Sequence, residues 1–351
     1  MSLQGVITSD WHLGGMKKVF ANPTTKQIVE IHKPYQYAAE HGIEHVFMPG
    51  DMSDIPVLSN HDLISLVTLL LTYDGAIHTH MILGNHDVAG VHQTSMDVLR
   101  VMAENAMFER FHLYFKPTIV KIEGIHVCFM PFPNNKVPVS PKPPLVFAHI
   151  ETAGAVGDNG RLLKGGDEKF IRQPRDFIFS GHLHQHQYLK EKRIAYGGSL
   201  FQKNFGEALP KGFLDFNAKY VAGGKLVVTY EFINSRPNFT LETKLIQSSE
   251  EWESLSKDES IRYKILVGEG VVVPKDITTV FPNIIYINGA SSRTKVNMDG
   301  TVDNGSVTLK DLPTFSVRTG LSKYLRDAEL SPKQIGLAKS LVREAMSSLG
   351  M

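Results

Sequence analysis

Leu83-Gly84-Asn85-His86-Asp87 places an amide, an imidazole and a carboxylate side by side, directly after the strand-like run Ile77 to Leu83. Such a group offers oxygen and nitrogen donors to a divalent cation and an imidazole for proton transfer. Four other segments end in the same way: Asp10-Trp11-His12 after Val6-Ile7, Gly50-Asp51 after Val46-Phe47-Met48, His149 after Leu145 to Ala148, and Gly181-His182-Leu183-His184 after Phe177-Ile178-Phe179. Polar side chains at strand ends are where open α/β sheets carry ligands and catalysis.

The residue types suit a two-metal hydrolase. Two divalent ions about 4 Å apart need a shared anionic bridge and mixed oxygen and nitrogen ligands, and together they ionise a water while clamping a phosphate. Asp51 is the natural bridge. Asp10, His12 and one of the late histidines complete one metal, and Asn85, His149 and the other late histidine complete the second. His86 is left free to stabilise an oxyanion or protonate a leaving oxygen, with Asp54 as the carboxylate expected to orient it. Asp87 reads as a turn-stabilising or supporting residue.

With 1 Cys in 351 residues, an internal disulfide and a thiolate zinc cluster are both excluded. The remaining ligand types favour two manganese ions, or iron, over structural zinc. Cys128 itself reads as a small buried hydrophobe. No stretch approaches a membrane span and no secretory leader is evident, so a cytoplasmic setting, with no membrane partner, is expected.

The formal net charge is only +1, but it is unevenly spread. Residues 1–133 carry 8 Lys and Arg against 13 Asp and Glu, whereas residues 134–220 carry 13 against 8. The basic excess surrounds the last histidine motifs, as a phosphate-bearing substrate would require. Lys190, Lys192 and Arg193 are candidate contacts to a DNA backbone, or simply a solvated hairpin tip. Trp11, between two ligands, is expected to pack and fix their rotamers. His41, His61, His78, His92, His112 and His126 read as surface or core residues, and so does His186, although it directly follows the motif.

The elements that must position these side chains alternate β-α-β-α-β at first, which implies parallel strands covered by helices. Strands are expected at 3–9, 45–48 and 77–83, and helices at 34–41, 62–73 and 95–106, with Gly42 and Gly75 closing the first two. A hairpin turning at Glu123-Gly124 then introduces antiparallel pairing. The proline-rich stretch 131–144 reads as a surface loop, and the glycine-rich stretch 153–166 as a lid or binding loop. A hairpin at 187–195, strands at 212–216 and 226–232, and a boundary near Asn234 to Arg236 follow. Strands at 261–267 and 283–288 suggest a small α/β cap, and Ser331-Pro332 opens a C-terminal amphipathic helix through Ile335, Leu341 and Met346.

Asp-x-His, Gly-Asp-x-x-Asp, Gly-Asn-His-Asp, a strand-end His and Gly-His-x-His, in this order over roughly residues 5–200, resemble the calcineurin-like metallophosphoesterase superfamily. The resemblance implies a four-layer αββα sandwich, with Asp10, His12, Asp51 and His184 on one metal, Asp51, Asn85, His149 and His182 on the other, and His86 as the catalytic histidine. Asp-Trp-His-Leu-Gly at 10–14, Gly-Asn-His-Asp at 84–87 and Tyr-Gly-Gly-Ser at 196–199 are similar to the SbcD-type recombination nucleases, including phage ones. That implies a metallophosphoesterase nuclease domain over 1–233, a DNA-capping domain over 234–320 and a C-terminal helical segment over 321–351 that docks an SbcC-like coiled-coil ABC ATPase, in a homodimer formed through helices near 60–73 and 93–106. Ile55 stands where protein Ser/Thr phosphatases place Arg, and Ser53 where many SbcD-like proteins have an aromatic residue.

The function expected is therefore a Mn²⁺-dependent DNA exonuclease or endonuclease in recombination, repair or replication. A small-molecule phosphodiesterase or phosphatase of the same superfamily is the enzymatic alternative. A non-catalytic scaffold with this fold is the alternative outside enzymes.

Overall fold

The structure, a computed structural model, describes residues 2–88, 93–133, 145–158, 160–166 and 177–289. The proline-rich stretch 134–144, His92 and everything from 290 onward, including the expected C-terminal helix and docking segment, lie outside the described residues.

Over these residues the chain is mixed α/β, with two six-stranded sheets, a smaller third sheet and few helices. In the first sheet, β1 (Ser2–Ile7), β2 (His45–Pro49), β3 (His78–Ile82) and β4 (Phe111–Tyr114) run parallel. The antiparallel pair β11 (Gly212–Tyr220) and β12 (Leu226–Asn234) extends it beyond β1. The second sheet has β6 (Ile125–Met130), β7 (Leu145–His149), β8 (Phe177–Gly181) and β10 (Ile194–Tyr196) in parallel. Its antiparallel edges are β5 (Thr118–Ile122) and β9 (Gln187–Leu189). Both hairpins fall where the sequence places them, and at the first the turn residues Glu123 and Gly124 have φ of 49° and 83°, the left-handed pair that a tight hairpin requires.

The two large sheets pack face to face. Ile7, Phe47, Ile82 and Phe216 of the first meet Val127, Phe129, Phe147 and Phe179 of the second, and the Phe47 and Phe147 rings stack at 4.3 Å. Full burial of each such side chain is worth about 1.5–3 kcal/mol. Helices α1 (Pro23–Glu40), α2 (Asn60–Tyr73) and α4 (Ser95–Glu104) cover the other face of the first sheet, where Ile31, Tyr35, Leu66, Leu70 and Leu99 meet Val46, Met48 and Met81. Outside the second sheet, Cys128, Val146 and Ile178 are covered by Ile150 and Ala155 of the loop after β7, and among the described residues no helix lies there. Cys128 is buried, as a small apolar side chain would be.

Helix α1 begins at Pro23, well before the expected start at Pro34, which lies inside it. A proline at the first turn costs no hydrogen bond. The interior Pro34 costs one, but it is buried beside Ile31, Tyr35 and Ala38, and that apolar face outweighs the local penalty. At α2, Ser59 caps the start and Asp74 ends the helix in right-handed geometry, its carboxylate accepting the amides of Glu109 and Arg110; Gly75 is not the left-handed cap. At α4, Thr94 and Asp97 form a capping box.

β12 ends at Asn234, and the third sheet follows. Its strands β13 (Thr240–Ile246), β14 (Ile261–Val267) and β15 (Ile284–Gly289) are all parallel. They enclose their own cluster around Trp252, Tyr263, Ile265 and Phe281, with the short helix α5 (Ile277–Val280) alongside. No helix among the described residues is long and apolar enough to cross a membrane.

Candidate metal centre

Every one of the five strand-end motifs lies at the C-terminal edge of its parallel strand, β1, β2, β3, β7 or β8, and the facing sheets bring those edges together. His149 Nδ1 of the second sheet hydrogen-bonds the Pro49 carbonyl of the first at 2.9 Å, and His182 N donates to Asp10 Oδ1 at 2.8 Å. The chain turns sharply as each strand ends. Asp10, His12, Asp51 and His182 take φ of 54°, 45°, 56° and 90°, left-handed values that cost non-glycine residues about 1–3 kcal/mol each and cluster at functional sites. Gly50, at φ +92°, admits no side chain, because a Cβ would strike the His149 ring; at Gly84 it would strike the Asp51 carboxylate.

Asn85, His86 and Asp87 occupy a one-turn helix, α3 (Asn85–Val88). The fully buried Asp87 carboxylate accepts the amides of Gly84 at 2.8 Å, Asp51 at 3.0 Å and Ser53 at 2.9 Å, together with the Ser53 hydroxyl at 2.8 Å. It thereby ties the β2 turn to the β3 turn, the stabilising role expected of it. Ser53 takes part in this tie through both its amide and its hydroxyl. Trp11 is fully buried, its ring nitrogen held by Thr8, as its packing role requires.

Two groups of side chains share one carboxylate. Asp10, His12 and His184 converge, with His12 Nε2 and His184 Nε2 at 2.9 Å. Asp51, His149 and His182 form the second group, where Asn85 Oδ1 lies 2.9 Å from His149 Nε2 and 3.0 Å from His182 Nδ1. Asp51 Oδ2 stands between them, 3.7 Å from His12 Nε2 and 3.4 Å from His149 Nε2. All seven expected ligands are thus brought to one place, His184 with the first group and His182 with the second.

The donor set fits divalent cations. Asp10 Oδ2 is buried without a hydrogen-bond partner, an arrangement that costs free energy unless a cation takes the oxygen. His12 and His184 turn ring nitrogens at each other, which two lone pairs do only around a shared positive charge or proton. Burial pushes Asp10 upward and drives His12 and His182 down to about 4. Burial also opposes charge on His149 and His184, yet Asp51 raises the former to about 9, and Asp158 with Glu207 raises the latter to about 10. Burial alone would raise Asp51, but His149 holds it below the usual carboxylate range. Protons therefore occupy positions that a cation of higher charge displaces.

The His86 side chain is 37% exposed and joins Asn85, His182, His184 and Lys203 around a cavity of about 260 Å³. Its backbone N donates to Asp51 Oδ1 at 2.9 Å, and its Nδ1 sits 2.8 Å from the main-chain carbonyl of Asp54. The Asp54 carboxylate does not take the expected role. It lies 3.9 Å from His86 Nδ1 but 3.2 Å from His12 Nδ1, and it forms a 2.6 Å ion pair with Lys203 whose approach is off the hydrogen-bond axis. Lys203 Nζ also lies 3.0 Å from His12 Nδ1, so the Asp54 carboxylate, the ammonium and His12 form one cluster, and His86 is held by the backbone instead.

The sequence reading missed Asp158, Lys203, Glu207 and Lys211. Asp158 Oδ2 and Glu207 Oε1 lie 2.9 and 3.1 Å from His184 Nδ1, and Lys211 Nζ is 2.8 Å from Glu207 Oε2. Only Asp158 fell in a stretch marked as functional, the glycine-rich loop. The other three follow Tyr196-Gly197-Gly198-Ser199 with no local pattern to announce them. Of the hairpin-tip cations, Lys192 donates to the Ala153 carbonyl and Arg193 lies over Phe177, so two of the three have protein partners. His186 packs on Phe232 and bonds the Tyr196 carbonyl, as a structural residue does.

No family model and no curated protein matches the chain. Among solved structures a match is GAP50, the anchor in the inner membrane complex of Plasmodium, at 10% identity and a TM-score of 0.41, covering 67% of this chain and 85% of that one. At that level of likeness the reading of the site rests on its own geometry.

Proposed function

We propose that the chain is a Mn²⁺-dependent DNA nuclease of the calcineurin-like metallophosphoesterase superfamily, of the SbcD type. One observation carries the reading: the Asp51 carboxylate stands between a His12–His184 pair and a His149–His182 pair, the pattern of a bridging ligand. On this reading Asp10, His12, Asp51 and His184 hold one ion, and Asp51, Asn85, His149 and His182 hold the other. Two such ions supply Lewis-acid charge to a phosphodiester and a nucleophile at neutral pH.

The chain's own residues do the rest. The cavity takes the scissile phosphate, and His86, held at Nδ1 by the Asp54 carbonyl, has Nε2 left to protonate the leaving oxygen. Lys203 adds a positive charge beside the phosphate. The αββα sandwich, a third sheet that caps the DNA and a C-terminal helix that docks a coiled-coil ABC ATPase belong to the same reading, as does a homodimer. DNA as substrate is supported by the basic excess in residues 134–220.

The test is cleavage of linear duplex and single-stranded DNA with Mn²⁺. Wild type is expected to cleave, and activity no greater than that of His86→Gln would overturn the proposal. Turnover of cyclic nucleotides with DNA untouched would select the small-molecule phosphodiesterase instead.

A further inference from the structure

We infer that Glu207 is the positioning residue of His184, and that its pairing with Lys211 is what keeps it in that role. The inference rests on the dimetal reading of the site but not on DNA as substrate. Glu207 and Lys211 have side chains only 2% and 1% exposed, and they are linked at 2.8 Å. A buried pair of this kind is costly to desolvate and is weak evidence of a stabilising role by itself.

Its geometry points to the metal centre. Glu207 Oε1 faces His184 Nδ1 at 3.1 Å and accepts the Asn204 amide at 3.1 Å. Oε2 takes the Lys211 ammonium at 2.8 Å and the Lys203 amide at 3.3 Å. Lys211 in turn donates to the His184 carbonyl at 2.9 Å, so the pair grips both ends of the same residue. With its Nδ1 proton held by Glu207, His184 is left with Nε2, facing His12, to offer to a cation. The same carboxylate folds the turn that carries Lys203 and Asn204 to the cavity, and so links the ligand to the substrate side.

Asp158 also reaches His184 Nδ1, at 2.9 Å, but its side chain is 31% exposed and lines the cavity on the loop after β7. Glu207 is the fixed partner. An amide cannot replace it: donors face both carboxylate oxygens, so either orientation of a glutamine sets an NH₂ against a donor.

The experiment is calorimetric titration of the full, chelator-stripped chain with Mn²⁺, alongside thermal melts of the metal-free proteins. Wild type binds two ions. Glu207→Gln is expected to lose about 10–100-fold in affinity for one of them and to keep the other. Glu207→Gln with Lys211→Met removes the unpaired ammonium, so it guards against failure to fold, and it shows the same selective loss. Asp158→Asn changes either affinity less than threefold. The inference is overturned if the folded single or double variant binds both ions as wild type does, if both ions weaken equally, or if Asp158→Asn alone loses the ion. A wild type that binds no Mn²⁺ would instead remove the dimetal reading itself, and this inference with it.

Discussion

Asp54 serves two histidines with two different groups: its main-chain carbonyl meets His86 Nδ1 at 2.8 Å, and its carboxylate meets His12 Nδ1 at 3.2 Å. Asp54→Asn therefore leaves the orientation of His86 intact and weakens that of His12. The expected result is a fall of about tenfold in Mn²⁺ affinity, with turnover at saturating Mn²⁺ reduced much less. A loss at saturating metal as large as that of His86→Gln would show that the carboxylate serves His86.

Asn85 and His86 are neighbours with separate tasks. Asn85→Ala removes the oxygen shared by His149 and His182, and loss of one Mn²⁺ on titration is expected. His86→Gln is expected to retain both ions while turnover falls by about 10²–10⁴. Metal content by elemental analysis, measured beside rate, separates the two.

The buried Asp87 carboxylate holds the β2 and β3 turns together through backbone amides. Replacing it by Ala strands the buried amides of Gly84, Asp51 and Ser53, each at about 1–3 kcal/mol. A loss of at least about 3 kcal/mol in urea unfolding is expected, together with loss of Mn²⁺ binding as the Asp51 turn relaxes. Stability within 1 kcal/mol of wild type would contradict the bonding described.

At the opposite end of β2, β3 and β4, His45, His78, His80 and His112 form a ladder, with His45 to His80 and His78 to His112 each at 3.2 Å. Burial lowers all four, His45 to about 4 and His80 well below its ordinary value, and neighbouring histidines add to it for His45, His80 and His112. Arg110 lowers His78 further, while Glu44, Asp74 and Glu123 oppose. The folded chain thus stays neutral here at pH values where the unfolded chain takes up protons. Stability contributed by the ladder is complete above about pH 6.5 and lost as pH falls from there toward about 4. Urea midpoints at successive pH values should drop across this window, and His80→Phe, which suits the stack with Phe47 and Phe129, should flatten the drop. An equal slope in wild type and variant would show that His80 does not contribute.

The candidate ligands were legible from the sequence because each follows an apolar run, and local chemistry is enough to show a strand delivering a polar side chain at its end. The two hairpins were legible for the same reason. Helix α1 was not, since Pro34 looks like a start until the buried face it shares with Ile31 and Tyr35 is seen. β4 and β13 also went unread: the few residues of the first earn their pairing from β3, and those of the second from β14.

Residue types alone left open which late histidine belongs to which group, and which carboxylate orients which imidazole was decided only by tertiary structure. His182 and His184 differ by two positions along the chain, yet packing of the two sheets sets one beside Asn85 and the other beside His12. Glu207 and Lys211 reach His184 from a distant turn. Candidate ligands follow from residue type and strand end, whereas the partners that orient them depend on which segments fold against them.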